Sequence, residues 1–172
     1  MTQQTDSRPR EESVAVTQAA GKYLTFKLGR EEYGLEILKV QEIIGMLSVT
    51  KVPRAPSYVR GVVNLRGKVI PVVDLRSKFE MEGHEDTEKT CIIVVQVSRD
   101  DQTVTMGIIV DEVSEVLDID GGQIEPAPEF GGQTDTDFIL GIGKVGDKVV
   151  LLLDINKVLS DSELQAITSS AA

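Results

Sequence analysis

A chain of 172 residues, 41% apolar and 27% charged, has the composition of one ordinary globular domain or two very small ones. Its 18 Lys and Arg against 28 Asp and Glu give a formal charge of -10, which would repel a phosphate backbone and argues against nucleic acid as a partner. The start has no apolar core for a signal peptide, and no run approaches the roughly 18 residues of a spanning helix, so a cytoplasmic protein without membrane insertion is expected.

Residues 1–20, rich in Gln, Thr, Ser and Glu, read as a disordered leader. Period-two alternation begins at Lys22: Leu24, Phe26 and Leu28 share one face, Tyr23, Thr25 and Lys27 the other. A turn at Gly29-Arg30-Glu31-Glu32 makes this a hairpin. The stretch YGLEILKVQEIIG mixes periods and predicts a strand, a short helical turn and a second strand. Pro53 and Pro56 bracket a loop. In GVVNLRGKVIPVVDLR, Gly61 to Leu65 and Val69 to Val73 are strands joined at Arg66-Gly67-Lys68, and a brief helix follows from Leu75 to Phe79. Pro71 predicts an edge strand or a bulge, since it cannot donate to a ladder.

The pattern restarts at Thr90 with Cys91 to Val97, a polar turn through Gln102, and then VTMGIIVDEVSEVLDI. The restart is a repeat. GVVNLRGKVIPVVDL aligns with GIGKVGDKVVLLLDI, matching Gly61 with Gly141, Lys68 with Lys148 and Asp74 with Asp154, each 80 positions on (141 against 61). Earlier, GLEILKVQEI aligns with GIIVDEVSEV, matching Val40 with Val113, Glu42 with Glu115 and Ile43 with Val116, each 73 positions on (113 against 40). The changed offset puts a longer insertion in DGGQIEPAPEFGGQTDTD. A copy of five short strands suits a small barrel and is marginal alone. The expectation is therefore one cooperative, mainly β body of two five-stranded lobes, one over about 21–86 and one over about 88–155. A short helical segment to 164 and a flexible tail over 165–172 complete it.

Catalytic chemistry is poorly supplied. The one histidine, His84, lies in the charged run EMEGHEDTEK, and Cys91 lies among apolar neighbours that blunt a thiol. The Asn64-Leu65-Arg66-Gly67 turn lacks a P-loop ending and a following helix, so it is no phosphate cradle. The acidic pairs Asp118/Asp120 and Asp135/Asp137 lack calcium-loop spacing. No catalytic, cofactor or metal site is expected, and a non-enzymatic binding protein, a scaffold or adaptor, is the leading class.

The segments YGLEILKVQEI, PSYVRGVVNLRGKVIPVVDLR, GIIVDEVSEVL and QIEPAPEF, in this order between about Gly21 and Leu164, resemble the CheW-type bacterial chemotaxis coupling proteins. The resemblance implies two five-stranded SH3-like barrels on a shared core. It implies an adaptor, a monomer when free, that bridges the cytoplasmic tips of methyl-accepting chemoreceptors to the regulatory domain of the chemotaxis histidine kinase, in arrays beneath the inner membrane. It also implies no catalysis and no cofactor. Carried over by motif, Val40, Glu42, Gly61 and Arg66 fall where the family contacts kinase or receptor, and Val113 and Val116 in the receptor-facing groove. Glu129 and Phe130 match a second kinase contact that closes rings, and Glu125 stands where some relatives place an arginine. Val40, Val113 and Val116 equally suit a core, and Gly61 a bend. Arg66 is not explained by the repeat, which puts Gly146 opposite it. The alternative is a regulatory or receiver-associated coupling domain of a related phosphotransfer system.

Overall fold

The first hairpin is covered on both sides: Leu24, Phe26 and Leu28 on one face and Tyr23 and Thr25 on the other are all buried. The computed structural model describes residues 20–83, 85–99, 101–127, 138–160, 162–163 and 165. The hairpin is β1 (Gly21–Leu28) and β2 (Glu31–Glu36), followed by a 3-10 turn at Ile37–Lys39 and β3 (Val40–Gly45), the order expected from the mixed periods. Next come β4 (Val59–Leu65), β5 (Lys68–Asp74) and one helical turn at Leu75–Lys78, whose cap is the Asp74 side chain accepting from the Arg76 N–H. The second copy supplies β6 (Cys91–Arg99), β7 (Gln102–Val110), β8 (Glu112–Ile119), β9 (Ile124–Glu125), β10 (Ile139–Val145) and β11 (Lys148–Leu153).

Two sheets form, in the orders β8-β1-β2-β11-β10-β9 and β3-β6-β7-β5-β4. The lobes therefore do not divide the chain near residue 87. The β1–β2 hairpin of the first copy lies in the sheet of the second copy, and the β6–β7 hairpin of the second copy lies in the sheet of the first. The connections explain the exchange: three residues after β2, and the single Asp111 after β7, carry the chain across to the other sheet instead of turning it back. The exchanged hairpins are held by two parallel pairings, β11 with β2 and β5 with β7.

The repeat is kept in the ladders. Gly61 faces Val72 and Gly141 faces Leu152, each after a register shift one residue earlier. The edge strands repeat too: the β3–β6 ladder skips a residue between Val40 and Glu42, and the β8–β1 ladder skips one between Val113 and Glu115. At the second bulge, buried Thr25 donates its hydroxyl to the Glu115 carbonyl at 2.9 Å and accepts from the Glu115 N–H at 3.2 Å. These bonds satisfy groups whose burial unpaired would cost about 1–3 kcal/mol. Pro71 lies in an interior strand, contrary to the edge expectation. The β5–β7 pairing begins only at Val72, so no ladder partner on that side needs the missing N–H.

Each sheet encloses a small core, Tyr23, Ile119 and Leu152 in one and Val63, Ile92 and Val94 in the other. A larger core lies between the sheets, where Leu24, Phe26 and Leu28 meet Ile93, Val95 and Ile108. Phe26, Tyr33, Phe79 and Phe138 stack in series through it, with centroid spacings of 5.9, 5.8 and 5.3 Å.

Each parallel pairing includes a glycine in a crowded place. Gly107 lies opposite Val72, and a Cβ on it would sit 2.6 Å from Ile92 Cγ2; one on its counterpart Gly34, opposite Leu152, would sit 3.1 Å from a Leu152 methyl. Gly107→Ala is expected to destabilise by about 1–3 kcal/mol through overpacking, and Gly34→Ala by less, because a side-chain end can shift. Thermal unfolding of both variants checks this; equal midpoints would contradict it.

Candidate partner-docking site

Sheet edges and hairpin tips are where a body of this kind can bind another protein, because backbone groups and side chains there are left uncovered. On β3, an edge strand, Val40, Glu42 and Ile44 are half-buried while Gln41, Ile43 and Gly45 are exposed. Val40 rests on the shared core, so it packs as well as lining the edge.

The β4–β5 loop has two residues, with Leu65 opposite Lys68. Arg66 and Gly67 have φ of 52° and 88°, the positive pair of a type I′ turn, and Asn64 Oδ1 accepts from the Gly67 N–H at 2.7 Å. The left-handed conformation is unfavourable for arginine and free for the Gly146 (φ 62°) that replaces it in the second copy. The turn directs Arg66 toward the opposite edge of its sheet, where the guanidinium pairs with Glu42. Glu42, hydrogen-bonded to it, holds the guanidinium further above its ordinary pKa, so Arg66 stays charged. The side chain is 69% exposed, against 29% for Glu42, so the carboxylate orients a cation that faces solvent. The same sheet also curls at Thr50, which exchanges two 2.9 Å backbone hydrogen bonds with Val62.

Gly61 has a structural reason of its own. A Cβ there would lie 2.2 Å from the Thr50 carbonyl oxygen, and its φ is 150°. Its counterpart Gly141 meets Ile124 and Glu125 of β9 in the same way. Gly61 thus admits the crossing backbone beneath the Arg66 hairpin.

On the other sheet, edge strand β8 carries the expected Val113 and Val116. Val113 is half-buried on the shared core, whereas Val116 is 50% exposed. Lys148, at the start of the second hairpin's return strand, lies 3.9 Å from Glu115 and 3.6 Å from Glu32. Each lobe thus sets an acidic edge-strand residue against a hairpin cation. Glu42 and Arg66 are brought together with Val40 two residues away, while Val113 and Val116 belong to a strand of the other sheet. Glu129, Phe130 and His84 lie outside the described residues. Glu125, on β9, pairs with Lys144.

Of the exposed apolar residues that escaped the sequence reading, two stand on or next to β3. Ile43 is 43% exposed and is the counterpart of Val116, so the repeat alignment itself carried the signal. Leu38, 93% exposed, stands on the 3-10 turn beside a cleft of about 270 Å3 lined by Ala20, Gly21, Lys22, Tyr23, Glu36 and Ile37. Burial pushes the Glu36 carboxyl up, with Lys39 opposing, and burial with Glu36 pushes the Tyr23 hydroxyl up to about 12. Nothing in the sequence distinguished Leu38 from a core leucine.

Burial raises the Cys91 thiol above its ordinary value, the opposite of an activated nucleophile. Among the described residues no group of three His, Cys, Asp or Glu is placed to hold a metal, and no helix is long and apolar enough to cross a membrane.

Residues 22–163 match the profile of the CheW-like domain. The chain is 42% identical over 150 residues to the chemotaxis protein CheW of Klebsiella aerogenes, covering 87% of this chain and 88% of that protein. It is 36% identical to the chemotaxis protein CheW of Bacillus subtilis, covering 88% and 94%. The crystal structure of the scaffolding protein TtCheW from Thermoanaerobacter tengcongensis superposes with a TM-score of 0.73 at 35% identity, over 84% of this chain and 95% of that one.

Turn geometry separates Arg66 from Gly61 experimentally. Arg66→Gly relieves a left-handed arginine and removes only an exposed pair, so its thermal midpoint is expected within about 3 °C of wild type. Gly61→Ala meets fixed backbone and should lower the midpoint by more than that. A collapse in Arg66→Gly would show that the ion pair holds the sheet together.

Proposed function

The chain belongs to the CheW family of chemotaxis adaptors, and we propose that it bridges chemoreceptor cytoplasmic tips to the regulatory domain of the chemotaxis histidine kinase in the cytoplasm. The observation that carries this reading is the pair of edge strands, β3 and β8, each presenting an exposed β-branched residue and a hairpin cation from one body with a shared core. Such edges offer apolar anchors for affinity and a few charges for orientation, and they require no catalytic group. In this reading Val40, Glu42, Ile43 and Arg66 take the kinase side, with Gly61 shaping the hairpin. Val113 and Val116 take an apolar stripe of the receptor helices. Glu129 and Phe130 make the second kinase contact that joins complexes into rings.

An adaptor of this kind acts by holding two partners in one register. A receptor can then shift the kinase only if the assembly binds its active and inactive states differently.

Adding the protein to kinase and receptor fragments is expected to raise receptor-coupled phosphorylation, and no effect would overturn the reading. Arg66→Gly should weaken kinase-domain binding roughly tenfold while leaving receptor binding near wild type. Val116→Asp should do the reverse, because it places a charge where an apolar stripe is to sit. Phe130→Ser should abolish extended arrays while single receptor complexes persist; equal loss of both would exclude a separate ring contact.

A further inference from the structure

The two copies differ sharply where the exchanged hairpins leave their sheets. Arg76, just after β5, donates from Nε to Asp111 Oδ1 and Oδ2 at 2.9 and 3.0 Å and from Nη2 to Oδ2 at 2.7 Å. A further N–H, on Nη1, bonds the Glu82 carbonyl. Asp111 also accepts from the Gly29 N–H at 2.6 Å, and its own N–H donates to the Lys27 carbonyl at 3.0 Å. Both side chains are largely buried. By the offsets of the repeat, Arg76 corresponds to Asn156, Gly29 to Ser98 and Asp111 to Leu38. Asn156 still accepts from the Ser98 N–H at 2.9 Å, but Leu38 stands exposed where Asp111 would be. One side of the pseudo-symmetric body is thus tied by a multidentate ion pair and the other by a neutral contact. Partly buried, multidentate guanidinium–carboxylate pairs hold geometry far better than exposed single ones.

The placement matters because Asp111 immediately precedes β8, the strand of Val113 and Val116, while Arg76 lies in the helical turn that directly follows β5, the strand that starts at the Arg66 turn. We propose that the Arg76–Asp111 pair is a positioning clamp that sets the β8 docking edge at a fixed angle to the β4–β5 hairpin, so that both partners can be held at once. This rests on the adaptor reading above. Neither residue touches a partner; each acts through the strand it anchors.

Asp111→Asn keeps an oxygen for the Gly29 N–H and removes the charge, and Arg76→Met keeps the aliphatic stem. With each variant, hydrogen exchange is followed separately over 112–119 and 59–74. Binding is measured to a kinase regulatory fragment, to a receptor fragment, and to both together. The clamp predicts faster exchange over 112–119 with 59–74 retained, each single affinity within about twofold of wild type, and co-assembly reduced about tenfold. Unchanged exchange over 112–119, or unchanged co-assembly, overturns it. So does an equal loss of single and joint binding, which would mark a structural pair only. If wild type binds neither fragment, the adaptor reading falls, and exchange over 112–119 still decides whether the pair fixes β8.

Discussion

Everything in this molecule depends on two parallel strand pairings, β11 against β2 and β5 against β7. Parallel neighbours cannot be joined by a tight turn, so each must bring together strands distant in the chain. Here they splice the first hairpin of each copy into the sheet of the other. Each pairing includes a glycine with no room for a side chain, Gly107 beneath Ile92 of β6 and Gly34 beneath Leu152 of β11. Neither copy contains a complete sheet of its own, and the largest core lies between the two. A body built this way unfolds as a unit, because releasing either hairpin opens its own sheet and the shared core together.

That exchange was the least legible part of the fold. Strand positions, the helical turn after Glu36 and the equivalence of the two hairpins were written in local patterns: period-two runs, Gly61 with Gly141, Asp74 with Asp154. Which copy a hairpin joins is a different question. Matching residues occupy matching places whether the hairpins stay or trade, so an internal repeat is silent on the swap. The lobe boundary expected near residue 87 failed for that reason. Pro71 misled in the same way, because the sequence shows a missing donor but not where a neighbouring ladder begins.

The candidate docking surface was legible where charge and turn chemistry coincide. Glu42 and Arg66 lie 24 positions apart and meet because the sheet curls its two edges toward each other, assisted by the Thr50–Val62 bridge. Gly61, singled out with them, has a backbone reason that does not depend on any partner. The same ambiguity attaches to Val40 and Val113, which lean on the core from an edge and so pack and line a surface at once. Exposure separates their neighbours: Ile43 and Val116, at equivalent places, turn outward where a folded monomer gains nothing by it.

A duplicated body offers its own control, since whatever the fold demands should recur in both copies. The hairpin glycines, the edge-strand bulges and the helix-capping aspartate pattern recur, and folding accounts for them. Arg66 against Gly146, Asp111 against Leu38 and Arg76 against Asn156 do not recur, although each occupies the equivalent turn or connection of its copy. A left-handed arginine, an exposed leucine and a one-sided ion pair are local costs or asymmetries that the architecture does not need, as the other copy demonstrates. Departures of that sort are where a stable scaffold is bent to a task. Those found here lie at the Arg66 turn and at the crossings between sheets, which are the positions from which an adaptor can orient one partner with respect to another.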